Sequence, residues 1–232
     1  MKNLDEFIEQ VKVPGKLIFA KVWGSYSHNT QLPHSDLDFM GVYIVPLRQV
    51  LSLKGFQDTV NHDKPDYQLH EITKFLSLLA KGNPGVTECL FTEKMVFETD
   101  VWLELKQMRN MFLNQNTVNQ YVGYARGQLS RLKNGTYLHT TSGKVNEKWM
   151  YHLSRLLIDA ERICDGGEPI VWKEGKEREF LMRIRNDLIS IEEIKAFAEE
   201  KLSITQNKIN KLPEKANTDL LDEWLFKLRL GA

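Results

Sequence analysis

Residues 22–38 read VWGSYSHNTQLPHSDLD and carry a Gly-Ser pair followed by an Asp-x-Asp pattern. Asp36 and Asp38 stand two residues apart, so on a strand both carboxylates point to the same face. Two carboxylates held close on a rigid element repel each other unless a divalent cation lies between them. Gly24 and Ser25 permit the close backbone approach and the short donor that a phosphate requires. The pattern predicts phosphoryl or nucleotidyl transfer.

Apolar, β-rich segments flank this stretch on both sides. Residues 16–23 predict a strand that runs into Gly24, and residues 37–45 predict a second strand, apolar on both faces like a central strand. Residues 66–70 predict a third strand, which passes directly into a helix over 71–80. Between the second and third strands, residues 47–65 alternate short apolar pieces with turn residues, and we expect a β-excursion there.

Helical periodicity dominates the rest of the chain. Ahead of the first strand, Leu4, Phe7, Ile8 and Val11 recur at helical spacing and predict a short amphipathic helix. The six segments with helical periodicity after residue 99 are 100–113, 117–133, 145–165, 176–187, 190–211 and 217–229. The sequence therefore predicts an α+β fold, with a small mixed sheet and flanking helices in a domain over 1–98 and an all-α domain over 99–232.

Composition limits the partners that the chain is expected to bind. Lys and Arg total 31, and so do Asp and Glu, so the formal net charge is zero. This balance argues against a general polyanion binder, although a local basic groove would not show in the total. Cys89 and Cys164 match no metal-ligand spacing, and we expect both to be small buried residues. The N-terminus lacks the apolar core of a signal peptide, and no apolar run reaches membrane-spanning length, so we expect a cytoplasmic protein.

A two-cation site needs a third carboxylate, for which there are two candidates. Along the third strand, Tyr67 and Leu69 are apolar and should face the core, which leaves Asp66 on the open side. We therefore favour Asp66. Glu71 is the alternative, although an acidic residue in the first turn of a helix is also explained by the helix dipole.

Together these residues resemble a known superfamily. Gly24-Ser25, Thr30 and Ser35-Asp36-Leu37-Asp38 match the signature of the DNA polymerase β-like nucleotidyltransferases. In that fold a short sheet carries the Asp-x-Asp, and a helix that starts after Gly-Ser cradles the triphosphate. Residues 41–43 and 75–91 are similar to one subgroup, the bacterial and phage predicted nucleotidyltransferases typified by YcgL. An aspartate occurs in that subgroup at the position of Asp66, which agrees with the strand-face argument.

The resemblance implies a metal-dependent nucleotidyltransferase. Asp36 and Asp38 would bind two Mg²⁺ or Mn²⁺ ions, Asp66 would complete the catalytic metal, and Gly24 and Ser25, with Ser35 in the same motif, would hold the NTP. The acceptor hydroxyl would belong to an RNA 3′ end, a protein or a small molecule. An alternative is a catalytically inactive nucleotide-binding module or an antitoxin-like partner protein, against which the intact Asp-x-Asp argues.

A polar stripe in the helical half is the second candidate region. Lys148, His152 and Arg155 recur at helical spacing, with Asp159 and Arg162 further along. One interpretation is a solvated face with a weak Arg155–Asp159 pair. The other is a cationic ridge that faces the nucleotide, and a similar Lys, His, Arg pattern in the subgroup favours it. We expect His28 and His34 to be surface residues or incidental donors. The remaining candidates should lie on solvated faces or at helix ends: Tyr124, Arg126, Arg131, Arg183 and Arg185.

Overall fold

A five-stranded mixed sheet forms the centre of the N-terminal half in a computed structural model that describes residues 7–134 and 147–231. The strands are β1 (Lys16–Trp23), β2 (Asp38–Ile44), β3 (Thr59–Asp63), β4 (Asp66–Glu71) and β5 (Met95–Glu98). Their spatial order is β3-β4-β2-β1-β5. Strands β2 and β4 are parallel, and the other neighbours are antiparallel.

The described helices are α1 (residues 7–10), α2 (Gly24–Ser27), α3 (Leu47–Val50), α4 (Ile72–Ala80), α5 (Pro84–Cys89), α6 (Asp100–Gln107), α7 (Gln115–Lys133), α8 (Glu147–Cys164), α9 (Gly175–Arg185), α10 (Ile191–Lys208) and α11 (Thr218–Gly231). Short 3₁₀ turns follow α6 and α10. The expected α+β architecture with a helical C-terminal half is confirmed. Among these helices, none combines the length and the apolar character needed to cross a bilayer.

Most elements lie where the sequence predicts them. The three predicted strands are β1, β2 and β4, and each predicted segment after residue 99 contains a helix. The expected β-excursion over 47–65 is only half right, because helix α3 precedes strand β3 there. Strand β5 was not predicted, since its four residues, MVFE, are too few and too uniformly apolar to show an alternating pattern. Leu4 of the predicted first helix, and residues 145–146 of a later one, lie outside the described residues.

Side-chain caps mark where several helices begin. The Glu71 carboxylate accepts a hydrogen bond from the Thr73 amide and starts α4 directly after β4. Asn83 caps α5, and Asn114 caps α7, in the same manner. Ser190 precedes α10 and forms a reciprocal capping box with Glu193. The Glu193 amide donates to the Ser190 hydroxyl, and the Ser190 amide donates to the Glu193 carboxylate. These caps satisfy amide groups that the first turn of a helix leaves without a partner.

Two cores cover the faces of the sheet. On one face, Phe7 stacks on Phe39 at 4.3 Å between ring centroids. On the other, Phe19 stacks on Trp102 of α6 at 3.7 Å, and α4, α5 and α11 pack beside them. Helices α6 and α11 thus pack on the sheet although both lie beyond residue 98, and the domain boundary at that residue stays a prediction. A third core joins α7, α8, α9 and α10. Cys89 and Cys164 are both buried, as expected.

A buried ion pair fastens α11 to the sheet. The Arg229 guanidinium pairs with the Glu71 carboxylate and donates to the Val45 carbonyl at 2.8 Å. Neither Glu71 nor Arg229 is more than 7% exposed. Removing one member of such a pair leaves the other charge buried without its partner.

Charged side chains also occupy the junction between the sheet and the helical half. Glu88 of α5 is 1% exposed and pairs with Arg155 of α8. The Nε2 atom of His28 lies 3.6 Å from the same carboxylate, while its Nδ1 lies 3.0 Å from the Val171 carbonyl. The pKa of His28 is well below its usual value because the ring is buried and the cations Arg155 and Lys21 stand nearby. The imidazole is therefore neutral in the folded protein at pH 7.

We expect Arg229→Met to lower the free energy of unfolding by about 3–5 kcal/mol, because it leaves the Glu71 charge buried and unpaired. Urea denaturation measures this loss. The matched control is Lys227→Met, two residues away on the same helix, where Lys227 forms an exposed pair with Glu223 at 3.1 Å. That control should change stability by less than about 1 kcal/mol. Equal losses in the two variants would contradict a stabilising role for the buried pair.

His28 should make stability depend on pH. The unfolded chain takes up a proton at this residue below its ordinary pKa of 6.5, and the folded protein excludes it. The free energy of unfolding should therefore fall as the pH is lowered from 7 to about 5. His28→Asn, which keeps a donor for Val171, should flatten this dependence in urea titrations at several pH values. His34→Asn, at an exposed position in the same loop, should keep the slope of the wild type, and identical slopes in all three proteins would refute the assignment.

Candidate active site

Three strand ends bring the predicted aspartates and Gly24 together. Trp23, the last residue of β1, pairs with Asp38, the first residue of β2, so Gly24 follows directly beside Asp38. In the parallel pair of β2 and β4, Phe39 lies beside Tyr67. Asp38 and Asp66 therefore occupy the same level on neighbouring strands, which run about 4.8 Å apart. Asp36 lies in the loop two residues before β2 and is exposed.

The orientation of Asp66 agrees with the strand-face argument. Tyr67 and Leu69 are 3% and 0% exposed and belong to the core that contains Phe39, whereas Asp66 is exposed. Since neighbouring residues on a strand point to opposite faces, Asp38 and Asp66 both point away from that core. The catalytic role of Asp66 stays a prediction, but its position on the open face is observed.

Asp38 is in electrostatic contact with the other candidate residues. Its pKa is raised by partial burial and then by the negative charges of Asp66 and Asp36, and the charge of Lys148 acts in the opposite direction. The first turn of α8 thus stands close enough to influence the carboxylates. Mutual repulsion of this kind is relieved when a cation binds between the carboxylates.

Because Gly24 has no Cβ atom, the space beside the Asp38 carboxylate stays open. Its φ of +68° lies in the left-handed region, and a Cβ atom there would lie 3.0 Å from Asp38 Oδ2. Helix α2, which begins at Gly24, has only four residues and is closed by the backbone bonds of the next residues. The Ser35 hydroxyl accepts a hydrogen bond from the Leu32 amide at 2.8 Å and shapes the loop before Asp36. Phosphate binding by Ser25 and Ser35 stays a prediction.

The donor set fits a divalent cation in its chemistry. Carboxylate oxygens are the ligands that Mg²⁺ and Mn²⁺ prefer, and the gap that Gly24 leaves opens onto Asp38 Oδ2. Within residues 7–134 and 147–231, however, no three His, Cys, Asp or Glu side chains are arranged as a closed metal-binding group. Asp36, Asp38 and Asp66 would have to converge further to hold a cation.

Glu71 does not suit the role of third carboxylate. It ends β4 five residues after Asp66, which places it about 16 Å further along the strand. Its side chain is fully buried, caps α4 and pairs with Arg229. The structure therefore favours the explanation of Glu71 as a helix-start residue.

The polar stripe on α8 is exposed near the start of the helix and buried further along it. Lys148 is exposed near the carboxylates. The pKa of His152 is lowered by partial burial and then by the charges of Arg155, Arg185 and Lys148. Arg155 itself is 7% exposed and is engaged with Glu88. Nucleotide binding by Lys148 and His152 stays a prediction, whereas the pairing of Arg155 gives that residue a structural partner.

The interpretation of this stripe as a solvated face is wrong for its buried members. Asp159 is 1% exposed and pairs with Lys173 and Arg162, so it forms no simple pair with Arg155. His28 is likewise buried, where a surface residue was expected, while His34 is exposed. Arg162 lies three residues from Asp159 on the same helix, but Lys173 and the Val171 carbonyl that contacts His28 come from outside these segments, which local spacing does not reveal.

Tyr151 is a neighbour of the site that sequence reasoning missed, and Arg185, expected only to be a surface or helix-end residue, packs against it. The Tyr151 hydroxyl lies 2.7 Å from Thr30 Oγ1, in the loop that follows Gly24-Ser25. The Arg185 guanidinium lies over the Tyr151 ring, 5.2 Å from its centroid. Tyr151 stands next to His152 in sequence, so the helical stripe was the signal that could have drawn attention to it.

Comparisons with known proteins identify the family of the chain. The chain matches RlaP, the RNA repair pathway DNA polymerase beta family, over residues 1–227. It is 28% identical over 130 residues to an uncharacterized 38.9 kDa protein in the nrdC-mobD intergenic region of Enterobacteria phage T4. That match covers 50% of this chain and 38% of the phage protein.

A solved structure of a nucleotidyltransferase-like protein from Exiguobacterium sibiricum 255-15 aligns with 100% of this chain and 78% of that one, at 12% identity and a TM-score of 0.31. The narrower resemblance to the YcgL-typified subgroup stays a prediction. Because the match to RlaP covers nearly the whole length, the chain belongs to the RNA repair pathway DNA polymerase beta family.

Proposed function

We propose that this protein transfers a nucleoside monophosphate from an NTP to a hydroxyl group of RNA and releases pyrophosphate. The observation that carries the proposal is the meeting of Asp38, Asp66 and Gly24 at adjoining strand ends. The description of the family supports RNA as the acceptor class. The formal net charge of zero indicates that RNA contacts would be local to the site, not spread over the surface.

Asp36, Asp38 and Asp66 are the residues that would hold one or two Mg²⁺ or Mn²⁺ ions. When bound, such ions neutralise triphosphate charge and lower the pKa of the acceptor hydroxyl. The chain contributes the rest of the site. Gly24 allows the triphosphate to approach the backbone, and Ser25 supplies short donors to its β- and γ-phosphates.

The transfer itself is an in-line displacement at the α-phosphorus. The acceptor oxygen forms a new bond to that phosphorus, the bond to the bridging oxygen of pyrophosphate breaks, and the acceptor proton leaves toward Asp66. Lys148, exposed beside the carboxylates, would meet phosphate charge, and His152 lies on the same stripe. Arg155 would act indirectly, because its pairing with Glu88 holds α8, which carries Lys148 and His152, against α5.

We expect Asp38→Asn and Asp66→Asn each to reduce nucleotide transfer at least about 100-fold, because each removes a charge from the cation site. The assay incubates the protein with each α-labelled NTP, Mg²⁺ or Mn²⁺, and total RNA. Asp58→Asn is the control, since Asp58 is an exposed carboxylate that pairs with Lys74 at the other end of the same hairpin. It should keep wild-type activity.

The same assay separates the enzyme from its alternative. Tight NTP binding by the wild type without pyrophosphate release on RNA, protein or small-molecule acceptors would favour a nucleotide-binding module. Transfer to protein and not to RNA would refute the acceptor class. Full transfer by Asp38→Asn would refute the site.

Gly24→Ala tests whether the triphosphate must approach the backbone closely at residue 24. A Cβ atom at residue 24 would crowd Asp38 Oδ2. We expect transfer to fall at least about tenfold, because displacing the reacting groups from their aligned positions slows the reaction. Gly55→Ala is the matched control, because Gly55 has nearly the same φ of +67° and no atom within 4 Å of an added Cβ. Both variants should lose about 1 kcal/mol of stability through backbone strain. Equal effects on transfer would contradict a specific role for Gly24.

A further inference from the structure

The loop after Gly24-Ser25 folds back on the turn through backbone hydrogen bonds. The Ser25 carbonyl accepts from the amides of His28 at 3.3 Å and Thr30 at 3.0 Å. Thr30 Oγ1 also lies 3.4 Å from this carbonyl. Asn29 between them has a φ of 58°, which lets the chain reverse direction. The position of the Ser25 carbonyl therefore depends on where residues 28–30 are held.

The helical half holds these residues from outside. Asn29 Nδ2 donates to the Lys173 carbonyl at 3.0 Å, and the Lys173 amide donates to the His28 carbonyl at 3.3 Å. Arg178 Nε donates to the Asn29 carbonyl at 2.8 Å. The Lys173 ammonium is fully buried and binds both oxygens of Asp159 at 2.8 and 2.9 Å. The loop is thus fastened to a part of the helical half that is itself anchored.

One contact reaches the turn through side chains alone. Thr30 and Tyr151 are 0% and 2% exposed, and their hydroxyl oxygens lie 2.7 Å apart. Either hydroxyl can donate in this contact. When the Tyr151 hydroxyl donates, Thr30 Oγ1 is left to donate to the Ser25 carbonyl, which can only accept. These contacts form a relay from Tyr151 through Thr30 to Ser25. Burial raises the pKa of Tyr151, which keeps the hydroxyl protonated for this purpose.

We infer that Tyr151 is a positioning residue, whose hydroxyl orients the Gly24-Ser25 turn for phosphate binding through Thr30. The inference rests on the proposed function, because it assumes that the turn binds the phosphates of an NTP. It adds that the turn is not complete within the N-terminal half, since the hydroxyl that contacts Thr30 comes from α8. The aromatic ring packs under Arg185 whether or not the hydroxyl is present, so the hydroxyl can be removed by itself.

The test compares Tyr151→Phe, Thr30→Val and the double variant in the full chain. Hydrogen exchange of the ligand-free protein measures the Thr30 amide, which should exchange about fivefold faster in Tyr151→Phe, because one hydrogen bond of the relay is lost. Equilibrium binding of the four α,β-imido nucleoside triphosphates with Mn²⁺ should weaken about fivefold to tenfold for the analogue that the wild type binds best. The double variant should bind no more weakly than either single one, because the three groups act as one relay.

Tyr121→Phe is the matched control. Tyr121 is a buried tyrosine of α7 whose hydroxyl has no hydrogen-bond partner among the described residues. Its loss should leave the exchange of Thr30 and the affinity for the analogue unchanged. Thr30→Ser, which keeps the hydroxyl, should restore most of the affinity lost in Thr30→Val.

Three further outcomes would each overturn a different claim. Unchanged exchange at Thr30 in Tyr151→Phe overturns the relay, whatever the protein binds. Faster exchange with unchanged affinity in Tyr151→Phe overturns the positioning role and leaves the proposed function intact. A wild type that binds none of the four analogues contradicts the proposed function, and with it the role of Tyr151.

Discussion

The parallel pairing of β2 with β4 is the constraint on which the candidate site depends. It places Asp38 and Asp66 at the same level of neighbouring strands, while the antiparallel pairing of β1 with β2 brings Gly24 beside them. Partial burial raises the pKa of Asp38, and the negative charges of Asp66 and Asp36 raise it further, as expected when carboxylates gather in this way. A cation bound between the carboxylates, as the proposed function requires, would relieve this repulsion.

In the proposed site the helical half contributes residues and is not only a neighbour. Glu88 and Arg155 join the two halves through a buried pair, and breaking such a pair is costly. The same junction fastens the loop after Gly24-Ser25, which ties the geometry of the turn to α8. Because Lys148 lies on this helix and acts on Asp38, one element both orients the turn and adds positive charge beside the carboxylates.

Local pattern was enough to predict much of the fold. Strand β1 runs over the predicted residues because a turn-forming Pro14-Gly15 and Gly24 bound an apolar segment. Strand β5 could not be recognised, since it is a four-residue edge strand defined by its pairing with β1. For the site, the Asp-x-Asp motif and the alternation around Asp66 were sufficient to predict that Asp38 and Asp66 start strands, whereas Asp36 lies in the loop before β2. The pairing of Arg155 with Glu88, 67 residues apart, and the Thr30–Tyr151 contact, 121 residues apart, leave no periodic trace in the sequence.

Anomalous diffraction from crystals grown with Mn²⁺ and a non-hydrolysable NTP tests the central claim most directly. The account predicts a manganese peak bound by Asp36, Asp38 and Asp66, with the triphosphate lying over Gly24-Ser25. A nucleotide bound elsewhere, or a triphosphate on this turn whose metal is held without Asp38 and Asp66, would contradict it.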